Sequence, residues 1–218
     1  MTQKTLFIVA LAGLLLAFIA GTLLYTTQKE NQAEQQAEAN RAVLVRMHSP
    51  TFGNGDAPVV IVEFLDPACQ TCRSFYPLVK KMMAANPDRI RLVLRYAPFH
   101  DGSDKVVAVL EAARKQDKFW PALEALLGAQ ADWASNHTAQ MASVWKHLEG
   151  LGLNLEKMRA DMAAPEIANL IAQDLADART LGVTKTPEFF VNGKPLPRFG
   201  YEPLKKLVDD AVNETRRR

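Results

Sequence analysis

The sequence predicts an α/β domain carried behind an apolar N-terminal helix. Three observations lead there. Residues 5–25 are uncharged and almost wholly apolar; residues 59–96 read strand, helix, strand; and strand character returns near residue 187 after a long run of helical periodicity. A strand, helix, strand order of this length predicts parallel pairing through a right-handed crossover. With 218 residues, 48% hydrophobic and 23% charged, the chain is long enough for one ordinary domain plus an appendage. Its 26 basic and 24 acidic residues leave a formal net charge of +2, which makes no global electrostatic case for nucleic acid. Arg216-Arg217-Arg218 reads as a solvated end.

The apolar stretch 5–25 is about long enough to cross a bilayer as a helix. A cleaved signal peptide is the alternative, but it would have a shorter apolar region ending in small residues, and here Phe18-Ile19-Ala20 puts an aromatic where a small residue is wanted. An uncleaved anchor is expected. Lys4 and the terminal amine precede the span and only Lys29 follows it closely, which places residues 1–4 in the cytoplasm and the rest beyond the inner membrane. Residues 26–48 are rich in Gln, Glu, Asn and Ala and read as a polar stalk, a solvated spacer; the stripe Ala33, Ala37, Leu44 is too short for a coiled coil.

The folded domain is expected from residue 49, where Pro50 and Gly53-Asn54-Gly55-Asp56 form turns ahead of the strand Val59-Val60-Ile61-Val62. Glu63 is the odd residue in that strand. It reads either as a carboxyl buried behind the cysteines, with a raised pKa and a proton to relay to or from Cys72, or as an edge acid paired with a Lys or Arg. Cys69-Gln70-Thr71-Cys72 then opens a helix. One turn brings two sulfurs at this spacing within bridging reach, and the helix start favours a thiolate at Cys69, so Cys69 is the expected nucleophile and Cys72 the resolving thiol. No other cysteine competes, and half a zinc site lacks its second pair of ligands.

Phe75, Leu78, Val79, Met82 and Met83 give this helix an inward face, and Pro77 inside it is expected to kink it. Residues 90–96 form the second strand. Ser103 is the expected N-cap of a helix over residues 106–113, and Phe119-Trp120-Pro121 leads another. Ile167, Leu170, Ile171, Leu175, Ala178 and Leu181 form one face of a helix that Gly182 stops. Trp120, Trp133 and Trp145 read as packing residues. Pro187-Glu188-Phe189-Phe190-Val191 is a strand, Asn192-Gly193 a hairpin turn, and residues 203–213 a last helix.

Together Val62-Glu63-Phe64, Cys69-Gln70-Thr71-Cys72, Lys118-Phe119-Trp120 and residues 182–194, with Thr186-Pro187 at their centre, resemble the thioredoxin superfamily, and more closely its DsbA-like branch. The resemblance covers residues 49–218. It implies a thioredoxin-like fold with a helical domain inserted at about residues 103–182, a cis Pro187 facing the cysteines, a Thr186 backbone that pairs with extended substrate, and Glu63 as the buried acid. Gln70-Thr71 departs from the Pro-His pair of strongly oxidising relatives, so one source of thiolate stabilisation is missing.

The activity implied is a thiol–disulfide oxidoreductase working in the periplasm on protein substrates bearing thiols or disulfides. No cofactor is expected, and a membrane redox partner, a quinone-linked oxidase or an electron donor, would reset the pair. Two alternatives belong to other classes. A copper-handling protein would use Cys69 and Cys72 as soft Cu(I) ligands with His100 as a third; a tethered chaperone would use the apolar rim around Pro187.

Overall fold

The computed structural model describes residues 2–136 and 138–217, with the side chains of residues 4–6, 9 and 10 left aside. A mixed five-stranded sheet organises it. Its strands are β1 (Thr51–Phe52), β2 (Val59–Leu65), β3 (Ile90–Tyr96), β6 (Glu188–Val191) and β7 (Lys194–Pro195), in the spatial order β1-β3-β2-β6-β7. β2 and β3 are parallel, in register from Val59 opposite Ile90 to Leu65 opposite Tyr96. β6 runs antiparallel on the other side of β2, Phe64 facing Glu188 and Ile61 facing Val191. The crossover between β2 and β3 is α2 (Gln70–Ala85), which passes through Pro77 as one continuous helix.

Side chains alternate across the sheet, and each face has its own core. Ile61, Leu65, Leu92, Leu94, Phe189 and Val191 pack with α2, the helical insertion and α9 (Tyr201–Arg216). Val62, Phe64, Val93 and Phe190 pack on the opposite face with Leu44, Ala178 and Val183. Between β3 and β6 lie α3 (Ser103–Arg114), α4 (Phe119–Gly128), α5 (Gln130–Trp133), the short strands β4 (Ala134–Ser135) and β5 (Thr138–Ala139), α6 (Met141–Val144), a 3-10 turn (Trp145–Leu148), α7 (Leu155–Met162) and α8 (Pro165–Thr180). This is the thioredoxin-like arrangement with helical content that the sequence predicts.

Local chemistry explains the element ends. α8 stops in a Schellman motif, Val183 N–H donating to Ala178 and Gly182 N–H to Arg179, with Gly182 at φ 71°. Asn192 and Gly193 both take positive φ, as the two-residue β6–β7 turn demands. α9 begins earlier than expected, at Tyr201, because Pro203 sits in its first turn, where a missing N–H costs nothing. Ser103 is not a cap. It is the first residue of α3, behind Gly102, and its hydroxyl donates to Asp66.

The solvated spacer is corrected over its second half. α1 is one unbroken helix, Gln3–Leu44, long and apolar enough in its N-terminal part to cross a membrane. Its last turns lie on the domain: Ala37, Asn40 and Leu44 are buried, while Ala33 is exposed. The sparse stripe that would not make a coiled coil is a docking face for the chain's own sheet.

Candidate active site

β2 carries the chain to the edge of the sheet, and the turn after it places Cys69 at the N-cap of α2, with backbone extended (φ −77°, ψ 118°). Cys69 keeps 6% of its surface exposed and Cys72, one turn inward, none. Both are free thiols. Across from them the Thr186–Pro187 peptide bond is cis, and the Thr186 carbonyl accepts from Cys69 Sγ at 3.3 Å. Thus Cys69, Cys72, Thr186 and Pro187 come together from two distant parts of the sequence.

The two thiols differ electrostatically. A hydrogen bond from the Cys72 thiol pulls Cys69 down to about 5 against the cost of its burial, with further help from Thr186 and from the backbone N–H groups of Cys72 and Thr71. Those amides are the unpaired donors of the first helical turn. No intervening His is needed, so the departure at Gln70-Thr71 does not leave Cys69 an ordinary thiol. Cys72 moves the other way: burial, its bond to Cys69 and the charge of Glu63 push its thiol well up.

Glu63 lies beneath this pair. It shares a sheet face with Ile61 and Leu65, the face that α2 covers, and its side chain is fully buried. Neither carboxyl oxygen has a hydrogen-bond partner among the described residues, so it is not an edge acid paired with a base. Burial, then the nearby Cys69 charge, raise it to about 8. A carboxyl in that state exchanges protons near neutrality.

Sequence reasoning missed what holds the turn that carries Cys69. Asp66, fully buried, accepts from the N–H groups of Ala68 (2.9 Å), Phe99 (2.8 Å) and His100 (2.9 Å), from Ser103 Oγ, and meets His100 Nδ1 at 2.6 Å. Gln130, also buried, donates Nε2 to the carbonyls of Pro67 (2.7 Å) and Cys69 (3.0 Å). The one sequence signal was an Asp three residues before the nucleophile; Gln130 gave none. His100, considered as a copper ligand, is held on Asp66, and no group of three or more His, Cys, Asp or Glu side chains suited to a metal occurs among the described residues. Two exposed aromatics are tied to elements that carry the site: Phe199 packs on Phe75 of α2, with Lys185 Nζ 5.7 Å from its ring, and Phe99 N–H donates to Asp66.

A family model described as thioredoxin matches residues 45–210. Among solved structures, a thioredoxin-like oxidoreductase from Silicibacter pomeroyi is 32% identical, with a TM-score of 0.68 over 81% of this chain and 96% of that one. BdbD from Bacillus subtilis (22% identical, TM-score 0.67, 76% and 93% covered) and the catalytic domain of Proteus mirabilis ScsC (22%, 0.67, 83% and 98%) share the fold. The curated relatives are longer. A Na(+)/H(+) antiporter NhaA from Herminiimonas arsenicoxydans is 28% identical over 85% of this chain, but the chain spans 30% of that protein's length, and the antiporter name describes the longer protein. Model, neighbours and the Cys69–Pro187 geometry agree: the chain belongs to the thioredoxin family.

Proposed function

We propose that the protein is a membrane-anchored, periplasmic enzyme that exchanges disulfides with protein substrates through Cys69 and Cys72, and that it works in the oxidising direction. One observation carries this reading: the exposed edge of Cys69, its thiol lowered to about 5, sits against the Thr186 carbonyl beside a cis proline while Cys72 is sealed beneath. A stabilised Cys69 thiolate favours the reduced enzyme, which makes the Cys69–Cys72 disulfide the better oxidant.

In that direction a substrate thiolate attacks Cys69 Sγ of the enzyme disulfide. The Cys69–Cys72 bond breaks, and Cys72 leaves as a thiolate that takes a proton, from Glu63 in this reading. A second substrate thiolate then attacks the substrate sulfur of the mixed disulfide and expels Cys69, whose acidity makes it a good leaving group. The Thr186 backbone and the exposed Phe99 and Phe199 would hold an extended, partly apolar segment of substrate. No cofactor enters; two electrons pass to the enzyme at each turn, the substrate thiols release their protons to solvent, Glu63 is reprotonated from solvent, and a membrane-associated redox partner must remove the electrons. The apolar part of α1 would anchor the chain, with residues 1–4 in the cytoplasm.

The test is capture. Cys72→Ala expressed in a bacterial periplasm should accumulate covalent adducts with other proteins that collapse on reduction, and Cys69→Ala/Cys72→Ala should not. Adduct patterns identical in the two variants would sink the reading.

A further inference from the structure

The buried ion network at the end of α1 takes no part in the thiol chemistry, yet it fixes where that chemistry happens. Asn40 Nδ2 donates to the Gly193 carbonyl and Arg41 Nε to the Asn192 carbonyl, each at 3.0 Å, while Lys194 pairs with Glu34 at 3.2 Å. Gly193 lets the helix in: a Cβ there would collide with the Ala37 backbone. One and a half turns further on, Arg95, fully buried in β3, donates Nη1 to the carbonyls of Val43 (2.6 Å) and Leu44 (2.9 Å), capping groups that the helix itself leaves unpaired. The same guanidinium pairs with Asp174 and Asp177 of α8, and Arg46 and His48, just past the helix, bind those two carboxylates as well. Hairpin, strand and α8 hold the helix end from three sides.

These contacts also give the direction. Asn192 Oδ1 accepts from Val60 N–H, at the beginning of β2, whereas Arg95 stands opposite Phe64, near its end. Passing from Arg41 to Leu44 along α1 therefore runs in the same sense as passing from Val60 to Phe64 along β2. Cys69 lies past the end of β2, and residues 5–25 lie at the other end of the helix. At 1.5 Å per residue, Leu44 stands about 28 Å beyond Tyr25. A cleft of about 900 Å³ lies along this seam, lined by residues that include Glu34, Arg41, Val60, Asn192 and Lys194.

We infer that α1 is a rigid arm that turns the Cys69 thiol away from the bilayer and holds it on the order of 30 Å above it. The partner that resets the enzyme is then a protein whose reactive sulfurs stand on a domain projecting that far from the membrane, and not one whose sulfurs lie at headgroup level. Tilting the span within the usual range lowers this height without bringing the site to the headgroups. The inference rests on the anchored-oxidoreductase reading.

The test uses the full-length, reduced protein, one copy per lipid nanodisc, and three disulfide probes: a pyridyl disulfide on the lipid headgroup, the same group on a long polymer spacer, and free dithiodipyridine. Cys69 thiolate attacks the probe, forming a mixed disulfide and releasing thiopyridone, which is read by absorbance; Cys72 then closes the Cys69–Cys72 disulfide and frees the probe thiol. The free and long-spacer probes should react, and the headgroup probe at least about tenfold more slowly, because a tether that cannot span the gap gives an effective concentration near zero. Inserting about twelve Gly and Ser residues between the exposed Glu30 and Asn31 adds a flexible reach of roughly 20 Å and should restore the headgroup reaction. A fast headgroup reaction in the wild type, or an insertion without effect, would overturn the arm while leaving the oxidoreductase reading intact. Silence toward the free disulfide, or a protein that does not stay with the discs, would overturn both.

Discussion

Replacing Glu63 by Gln tests the buried acid through its linkage to folding. In the fold the carboxyl holds its proton up to about pH 8, because it is fully buried without a partner and lies near the Cys69 charge, whereas in the unfolded chain it releases it above the ordinary value of 4.5. Folding therefore takes up a proton between those values. Stability falls as pH rises through that window and levels off above it. At about 1.4 kcal/mol per pH unit, the wild type is penalised by roughly 3 kcal/mol at pH 7 relative to pH 4.5, and by roughly 5 kcal/mol above pH 8. Glu63→Gln cannot ionise and escapes this. Its amide is as unpaired as the acid, which adds an offset that does not vary with pH. The assay is denaturant unfolding of reduced, detergent-solubilised full-length protein at pH 4.5, 7 and 8.5, wild type against variant. The stability difference should grow in favour of Gln by roughly 3 kcal/mol between the first two pH values. A difference that stays flat with pH would refute a desolvated, protonated Glu63.

The same substitution should slow Cys72 attack on a preformed Cys69 mixed disulfide by about 100-fold, the usual contribution of a positioned acid or base, while alkylation of Cys69 stays fast; equal resolution rates in stopped flow would remove Glu63 from the proton path. Iodoacetamide trapping of Cys69 should show a midpoint near pH 5, moving up toward the ordinary thiol range in Cys72→Ala because the largest stabilising bond is lost; an unmoved midpoint would assign the effect elsewhere. Arg95→Leu strips the charge from between Asp174 and Asp177 and should cost about 3–5 kcal/mol in unfolding experiments, with Asp174→Asn in the same chain recovering part of it. A loss no larger than that of an exposed ion pair would show that the network is not what secures the helix end.

The cysteine pair, the proline opposite it and the strand that delivers it were legible because each has a local signature: a fixed spacing, a turn dipeptide, an apolar run. Glu63 was half legible. An acid in an apolar strand is visible, but which way it faces depends on register, and only pairing with β3 and β6 puts it under α2. The docking of α1 was not legible. Ala37, Asn40 and Leu44 are too sparse to read as an apolar face, and their burial depends on Gly193 and Arg95, more than fifty residues away or further. Asp174 and Asp177, buried on α8, carry no local sign of the partner that lets them be buried. Their counterpart, Arg95, is one of two arginines in β3, and which of them is buried, and on what, is set by tertiary contact alone. The lowering of the Cys69 thiol by helix-start amides was legible, whereas the bond from Cys72, its largest cause, depends on how the two side chains meet.

The turn that presents Cys69 is fastened from outside the sheet, by Gln130 on the carbonyls of Pro67 and Cys69 and by the Ser103 and His100 contacts to Asp66. Every one of those side chains comes from the end of β3 onward, in or beside the helical insertion. The sheet by itself therefore leaves that turn without these anchors, and its geometry depends on the helices between β3 and β6. A shortened version lacking residues 103–182 would keep the cysteines and the five strands of the main sheet and lose Ser103 and Gln130, two of those anchors.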